Sequence, residues 1–328
     1  MRLLRRPELP FRADDPSYMD DWIVGERIQA TRELERWYAN GGELYPRRIL
    51  EAVVDEQGRK LADGDEFNIE AIDGKTYQYY VRTSAIKCDA NGTETVYFRP
   101  FIDYVSLNQL LWDADHAMSP AAWRPFHAHC SVRLANYIEQ EDEPGEEGSH
   151  SSQPSEPSDS VEPTLHTGER ILQDLDVDLS GASDWPIWNR IDAVLSSLHV
   201  AWKIKTIFAI GCGSLEGSEG DIVRYNRCVV QHVLPYYLAV CLEQKELGSP
   251  NVEISFQDST YTKYDKWALG QLSADVPFDP AAYLDMDSQS LVFSSGATCC
   301  VKSIIVENAL PAILILDRIR NDDSASQL

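Results

Sequence analysis

The fold is decided by KTIFAIGCGSLE, residues 205–216. Its first six residues are apolar after the lysine, rich in β-branched and aromatic side chains, and closed by Gly211. A run this short, bounded by glycine, reads as a strand buried on both faces. Three later segments repeat the pattern: Val252–Phe256 (VEISF), Ser290–Ser294 (SLVFS) and Pro311–Leu316 (PAILIL). Helical spacing fills the intervals. From Ile222 to Gln244 the stripe is Val230, Val233, Leu234, Tyr237, Leu238, Cys241 and Leu242, with a kink predicted at Pro235. Lys263–Leu272 and Val301–Ala309 are two more helices. Upstream, Trp185, Trp188, Ile191, Val194, Leu195 and Leu198 have the same period. Apolar strands alternating with helices imply a parallel sheet covered on both faces. With right-handed crossovers, five or so such strands make a doubly wound, Rossmann-like α/β domain. Ligands of such sheets lie beyond the carboxyl ends of the strands, where strand order reverses. The residues there are Gly211, Gly213, Ser214, Asp258, Ser294, Ser295 and Asp317.

The first part of the chain has a different rhythm. A helix is predicted over 17–39, capped by Asp14 or Asp15 and ended by Gly41-Gly42. A short helix carrying Ile49, Leu50 and Val53 follows. Then the period becomes two: Phe67, Ile69 and Ala71 alternate with polar residues, and so do Tyr77, Tyr79 and Val81. Asp73-Gly74 between them is a hairpin signal, repeated by Asn91-Gly92. About three antiparallel strands are expected between Glu66 and Ile102, then helices near 107–113 and 120–138. This half is α+β. From Glu139 to Glu169 there is no Lys or Arg, and Ser, Pro and Glu dominate. Such a stretch buries too little apolar area to offset chain entropy. The expected organisation is an α+β domain over 1–138, a disordered acidic linker over 139–168, and the Rossmann-type domain over 169–328.

Composition narrows the classes of partner. Across 328 residues the net charge is -24, from 53 acidic and 29 basic side chains. That surface repels phosphate backbones and anionic lipid, which argues against nucleic-acid and membrane binding. Proteins and small molecules remain as partners. Seven cysteines, several inside apolar runs and none in a CxxC pair, suit a reducing compartment, cytoplasmic or nuclear. MRLLRRPELPF, at the start, lacks the apolar stretch of a signal peptide. No run reaches the roughly 18 apolar residues of a membrane span.

The stretches IKTIFAIGCGSLE, Arg227 with Gln231-His232, QDSTYTKYDKWAL, and SLVFSSG…CVKSII…PAILILDR occur in this order. Together they resemble the SRR-like domain family, named for sensitivity to red light reduced, in its fungal form. The resemblance covers roughly 185–319. It implies a regulatory role in light input, clock function or haem-related metabolism, and brings no agreed catalytic activity. One departure is Ser259, where the family usually has proline after the aspartate that ends the second strand.

Several constellations have both a functional and a bland reading. Gly211-x-Gly213 after a strand allows a phosphate to approach the backbone. Against this, Glu216 occupies the third glycine position, and Asp258 lies far beyond the ~20-residue spacing of the dinucleotide motif. A ligand-free tight turn is the alternative. Arg227 and Gln231, four apart, share a helix face with His232 beside them, facing either the cleft or a packed interior. Asp258, Tyr261 and Asp265 are either a polar cluster at the cleft or, for Asp258, the cap of the next helix. His127 and His129 beside Cys130 resemble a metal cluster, but on a helix residues two apart do not converge. Cys299-Cys300 precede a helix, whose N-terminus lowers a thiol pKa, so one could react or bind haem. The hydrolase elbow, Walker loop and HExxH motifs do not occur. The expectation is a non-catalytic regulatory protein of unknown cofactor. The alternative is an enzyme using S-adenosylmethionine or an NAD-like nucleotide in the cleft.

Overall fold

The computed structural model describes residues 21–59, 61–89, 92–115, 129–139, 164–181, 187–216, 222–295 and 300–317. The chain divides into two compact units, Met1–Thr167 and Gly168–Leu328.

In the first unit α1 (Asp21–Ala39) and α2 (Arg47–Gln57) precede strands β1 (Glu66–Glu70), β2 (Thr76–Tyr80), β3 (Ser84–Asp89) and β4 (Gly92–Tyr104). Helix α3 (Leu107–Asp115) and strand β5 (Val132–Glu139) follow. β1 and β2 form a two-stranded antiparallel sheet, and β3-β4-β5 a three-stranded one. The alternation is real: Phe67 and Ile69 are buried while their neighbours on β1 are not. They share the buried set with Leu34, Ile49, Leu50, Val53, Ile102 and Leu110. A buried ion pair joins Arg133 to Asp113 at 2.7 Å.

Two expectations for this unit are corrected. Four strands, not about three, lie between Glu66 and Tyr104, and they belong to two sheets. The helix expected over 120–138 is strand β5 from Val132 onward, because Val132 to Glu139 pairs antiparallel with Tyr97 to Tyr104 of β4. Val132 and Leu134 are two apart on one face, a period-two signal. The Asp73-Gly74 hairpin exists, but only Gly74 has positive φ there, at 78°. Glu70 pairs with Thr76, so the loop has five residues rather than two. Residues 17–20, the 116–128 segment and 140–163 of the linker expected over 139–168 lie outside the described residues, whereas Glu139 ends β5 and 164–168 already belong to a helix, which corrects the linker's bounds.

The second unit holds, in order, α4 (Thr164–Gly181, from Gly168 onward), α5 (Ile187–Ser197), β6 (Ile204–Ile210), α6 (Ile222–Gln244) and β7 (Gly248–Gln257). Then come α7 (Lys263–Gln271), α8 (Ala281–Asp285), β8 (Ser290–Ser294), α9 (Val301–Asn308) and β9 (Ile313–Leu316). The sheet is all-parallel with order β7-β6-β8-β9. Among the described residues it has four strands, where five or so were expected. The chain steps from β6 to one side for β7 and to the other for β8, so strand order reverses at β6.

Successive strand residues face opposite ways. Ile207 and Ala209 of β6, Phe256 of β7, Leu291 and Phe293 of β8 and Ile313 of β9 enter one core cluster. Helices supply Ile171 and Leu175 (α4), Trp188 and Leu195 (α5), Val229, Val233 and Leu238 (α6), and Ala268 and Leu269 (α7). Phe208, Ile210 and Val292 face the other way and are buried as well. On that side Gln257 ties β7 to α8, donating its amide to Asp279 Oδ1 (2.9 Å) and accepting the Ala282 N–H (2.8 Å). Continuous apolar runs such as IFAI follow from burial on both faces. Pro235 sits inside α6 without ending it. Proline offers no N–H to the Gln231 carbonyl four residues earlier. The Cys212 thiol donates to that carbonyl instead, at 3.7 Å.

Candidate functional site

The loop leaving β6 begins with two glycines at positive φ, Gly211 at 73° and Gly213 at 80°. A side chain at 213 would also stand 3.0 Å from Cys228 Sγ. Glycine is therefore required twice over at that position. The turn brings the loop's N–H groups toward β7 and α7. The Gly211 N–H donates to the Gln257 carbonyl (2.9 Å). The Gly213 N–H donates to Asp258 Oδ2 (2.7 Å). The Leu215 N–H donates to Asp265 Oδ1 (2.9 Å), and the Ser214 hydroxyl to Asp265 Oδ2 (2.7 Å).

Both carboxylates are held from their own side too. Asp258 Oδ1 accepts the Thr260 N–H and hydroxyl, each at 2.7 Å. Asp265 belongs to a capping box: Thr262 caps α7 and accepts from the Tyr264 and Asp265 amides, while Asp265 accepts the Thr262 N–H. Of the two readings open for Asp258, the cap of the next helix falls to Thr262 instead. The missed signal was legible, since Thr262-x-x-Asp265 is a capping-box spacing. Thr260 and the Leu215 amide were missed as well, and a backbone donor has no sequence signature.

Behind the loop lies a buried aromatic pair. His232 is 0% exposed. Its Nδ1 is 2.7 Å from the Cys228 carbonyl, which can only accept, so Nδ1 carries the proton. Nε2 is then bare and accepts the Tyr261 hydroxyl at 2.8 Å. Phe256 stacks on the imidazole with 5.3 Å between ring centroids. Burial lowers the His232 pKa, opposed by the bond to the Cys228 carbonyl. Burial raises the Cys212 and Tyr261 pKa values well above their usual range.

The remaining predicted residues complete the rim. Gln231 is buried and donates its side-chain amide to the Ser295 carbonyl. The Ser295 hydroxyl donates to Asp317 Oδ1 (2.8 Å), so the ends of β8 and β9 are joined. Ser294 is buried at the end of β8. Arg227 lies exposed on α6, one turn before Gln231, so the two are not equivalent members of one face. Gly213 is thus tied to Asp258, Ser214 to Asp265, His232 to Tyr261 and Gln231 to Ser295, while Gly211 bonds the Gln257 carbonyl. Chemically, the arrangement presents carboxylate oxygens where a dinucleotide loop presents free N–H groups.

His129 and Cys130 stand just ahead of β5, and His127 and Cys299 lie outside the described residues. Cys130, Cys212, Cys228 and Cys241 are buried and Cys300 is half-buried, none of them in a disulfide. Among the described residues no group of three His, Cys, Asp or Glu is placed to hold a metal, and no helix is long and apolar enough to cross a membrane. No family model matches this chain, and comparison with curated proteins and with solved structures found no similar chain.

Proposed function

We propose that this chain is a non-catalytic regulatory protein whose second unit is an SRR-like domain with a Rossmann-like, doubly wound sheet. It acts in the cytoplasm or nucleus by binding other proteins. The carrying observation is that Asp258 and Asp265 accept the Gly213 and Leu215 N–H groups. A nucleotide phosphate at that loop would have to displace two carboxylates and then sit beside them. Like charges 4 Å apart repel by about 4 kcal/mol at the effective dielectric of a protein surface. His232 and Tyr261, the obvious acid–base residues, are spent on each other under a buried lid of side chains. The light, clock or haem-related setting rests on the family resemblance alone.

A second reading has its own support. Gly211 and Gly213 take positive φ at the strand-order reversal, where ligands of such sheets bind. S-adenosylmethionine has no phosphate and carries a sulfonium cation, so an acidic rim suits it better than NAD. Thermal-shift measurement of the purified chain against S-adenosylmethionine, NAD, NADP, ATP and haem separates the readings. A ligand at 100 times its dissociation constant stabilises by about 2.7 kcal/mol. The regulatory reading expects no shift with the nucleotides. A shift with S-adenosylmethionine that Asp258→Ala abolishes would replace it with the enzyme reading.

A further inference from the structure

At one side the sheet ends in β9, and only the carboxyl end of that strand touches the rim. β9 is the last strand, and among the described residues nothing pairs with its outer side. The Ala312 N–H points inward, to the Ser290 carbonyl (2.9 Å). Alternation then turns the N–H and C=O groups of Ile313 and Ile315 outward. The strand reads ILIL and carries no lysine, proline or bulge of the kind that guards natural edges.

Apolar surface continues beside it. Leu310 is 81% exposed, Val306 62% and Leu314 38%. Val306, Ala309 and Leu310 line a shallow cleft of about 470 Å³ with Met286, Asp287 and Glu307. Singly exposed apolar residues are ordinary, but a strip along a bare strand edge marks a docking surface. The charges around it set the occupant. Asp287 and Glu307 border the cleft. Lys203 and Lys205 precede β6, which is separated from β9 by β8. A second copy of a chain with net charge -24 would bring acid against acid. A basic segment is drawn in.

We infer that the β9 edge takes an extended segment of another protein, alternating basic and apolar residues, as a fifth strand of the sheet. Main-chain bonds to Ile313 and Ile315 hold it, its apolar side chains cover Leu310 and Val306, and its cations meet the acidic border of the cleft at Asp287.

The test uses the full chain and two fluorescein-labelled heptapeptides, Lys-Val-Lys-Ile-Lys-Val-Lys and the same peptide with every Lys replaced by Glu. Fluorescence anisotropy is expected to give saturable binding of the lysine peptide and at least tenfold weaker binding of the glutamate peptide. Ile315→Pro removes an outward N–H together with a side chain packed against the core, and Leu310→Asp changes an exposed side chain. Each is expected to weaken the lysine peptide tenfold or more. Leu310→Asp makes the chain more acidic, so loss of binding there separates docking from plain charge attraction. Should Ile315→Pro fail to fold, Leu310→Asp decides. No binding, equal binding of both peptides, or binding that Leu310→Asp leaves intact overturns the inference. So does sedimentation of the wild type as a dimer that Leu310→Asp dissociates, which assigns the edge to a second copy.

Discussion

At the residue scale the rim is a set of interlocking single positions. Asp265 serves four donors, on Ser214, Leu215 and twice on Thr262, from a fully buried position. Charge-assisted bonds and a helix cap are lost together in Asp265→Ala, which is expected to destabilise by about 3 kcal/mol in urea unfolding. Gly213→Ala puts a side chain at positive φ and against Cys228, at a cost of about 1–2 kcal/mol. Adding Cys228→Ala should recover the steric part and leave the backbone part. His232 gives a pH dependence. Its folded pKa lies below its unfolded value of about 6.5, so the unfolded chain binds the extra proton. Its stabilising contribution is complete above about pH 6.5 and is lost as pH falls through the folded pKa. The urea midpoint of the wild type should therefore drop between pH 7 and 5, and His232→Gln should flatten the drop. His129, whose pKa burial also lowers, contributes a slope of the same sign.

At the element scale, long patterned segments were legible and terminal or contextual ones were not. IFAI, VEISF, SLVFS and the α6 stripe gave the strand and helix positions of the second unit, because burial on both faces writes itself as an unbroken apolar run. β5 was read as a helix because RLANYIE also fits a helical spacing, and only pairing with β4 decides between them. α4 was missed because TLHTGERILQDL follows the acidic stretch and shares its charge. Its buried residues, Gly168, Ile171 and Leu175, are nonetheless three and four apart. Gly211, Gly213, Ser214, Asp258, Ser294 and Ser295 were named from their places at strand ends, and Gln231 and His232 from their places on one helix. Their mutual satisfaction was not legible, since it depends on which oxygen meets which N–H. α5 docks on α6 through Trp188 stacked on Tyr237, ring centroids 3.7 Å apart. Trp188→Ala removes that stack and leaves a cavity, with an expected cost of about 3–5 kcal/mol in the same unfolding assay.

At the scale of the whole molecule, two compact units carry very different sequence signals. The first is antiparallel and rich in hairpins, and the second is an α/β unit built on one parallel sheet. The composition of 140–163 predicts an open linker, and a glutamate-specific protease should cut it first, leaving two resistant fragments by mass spectrometry. Initial cleavage elsewhere would contradict that reading. The central claim is that the loop after β6 is filled by the chain's own carboxylates, and native-state hydrogen exchange tests it most directly. In the ligand-free protein the Gly213 and Leu215 amides are predicted to exchange as slowly as those of β6, with Gly213 alone released in Asp258→Ala. Exchange of both amides at the rate of exposed loop residues in the wild type would contradict it, and would mean that the loop stands open for a ligand.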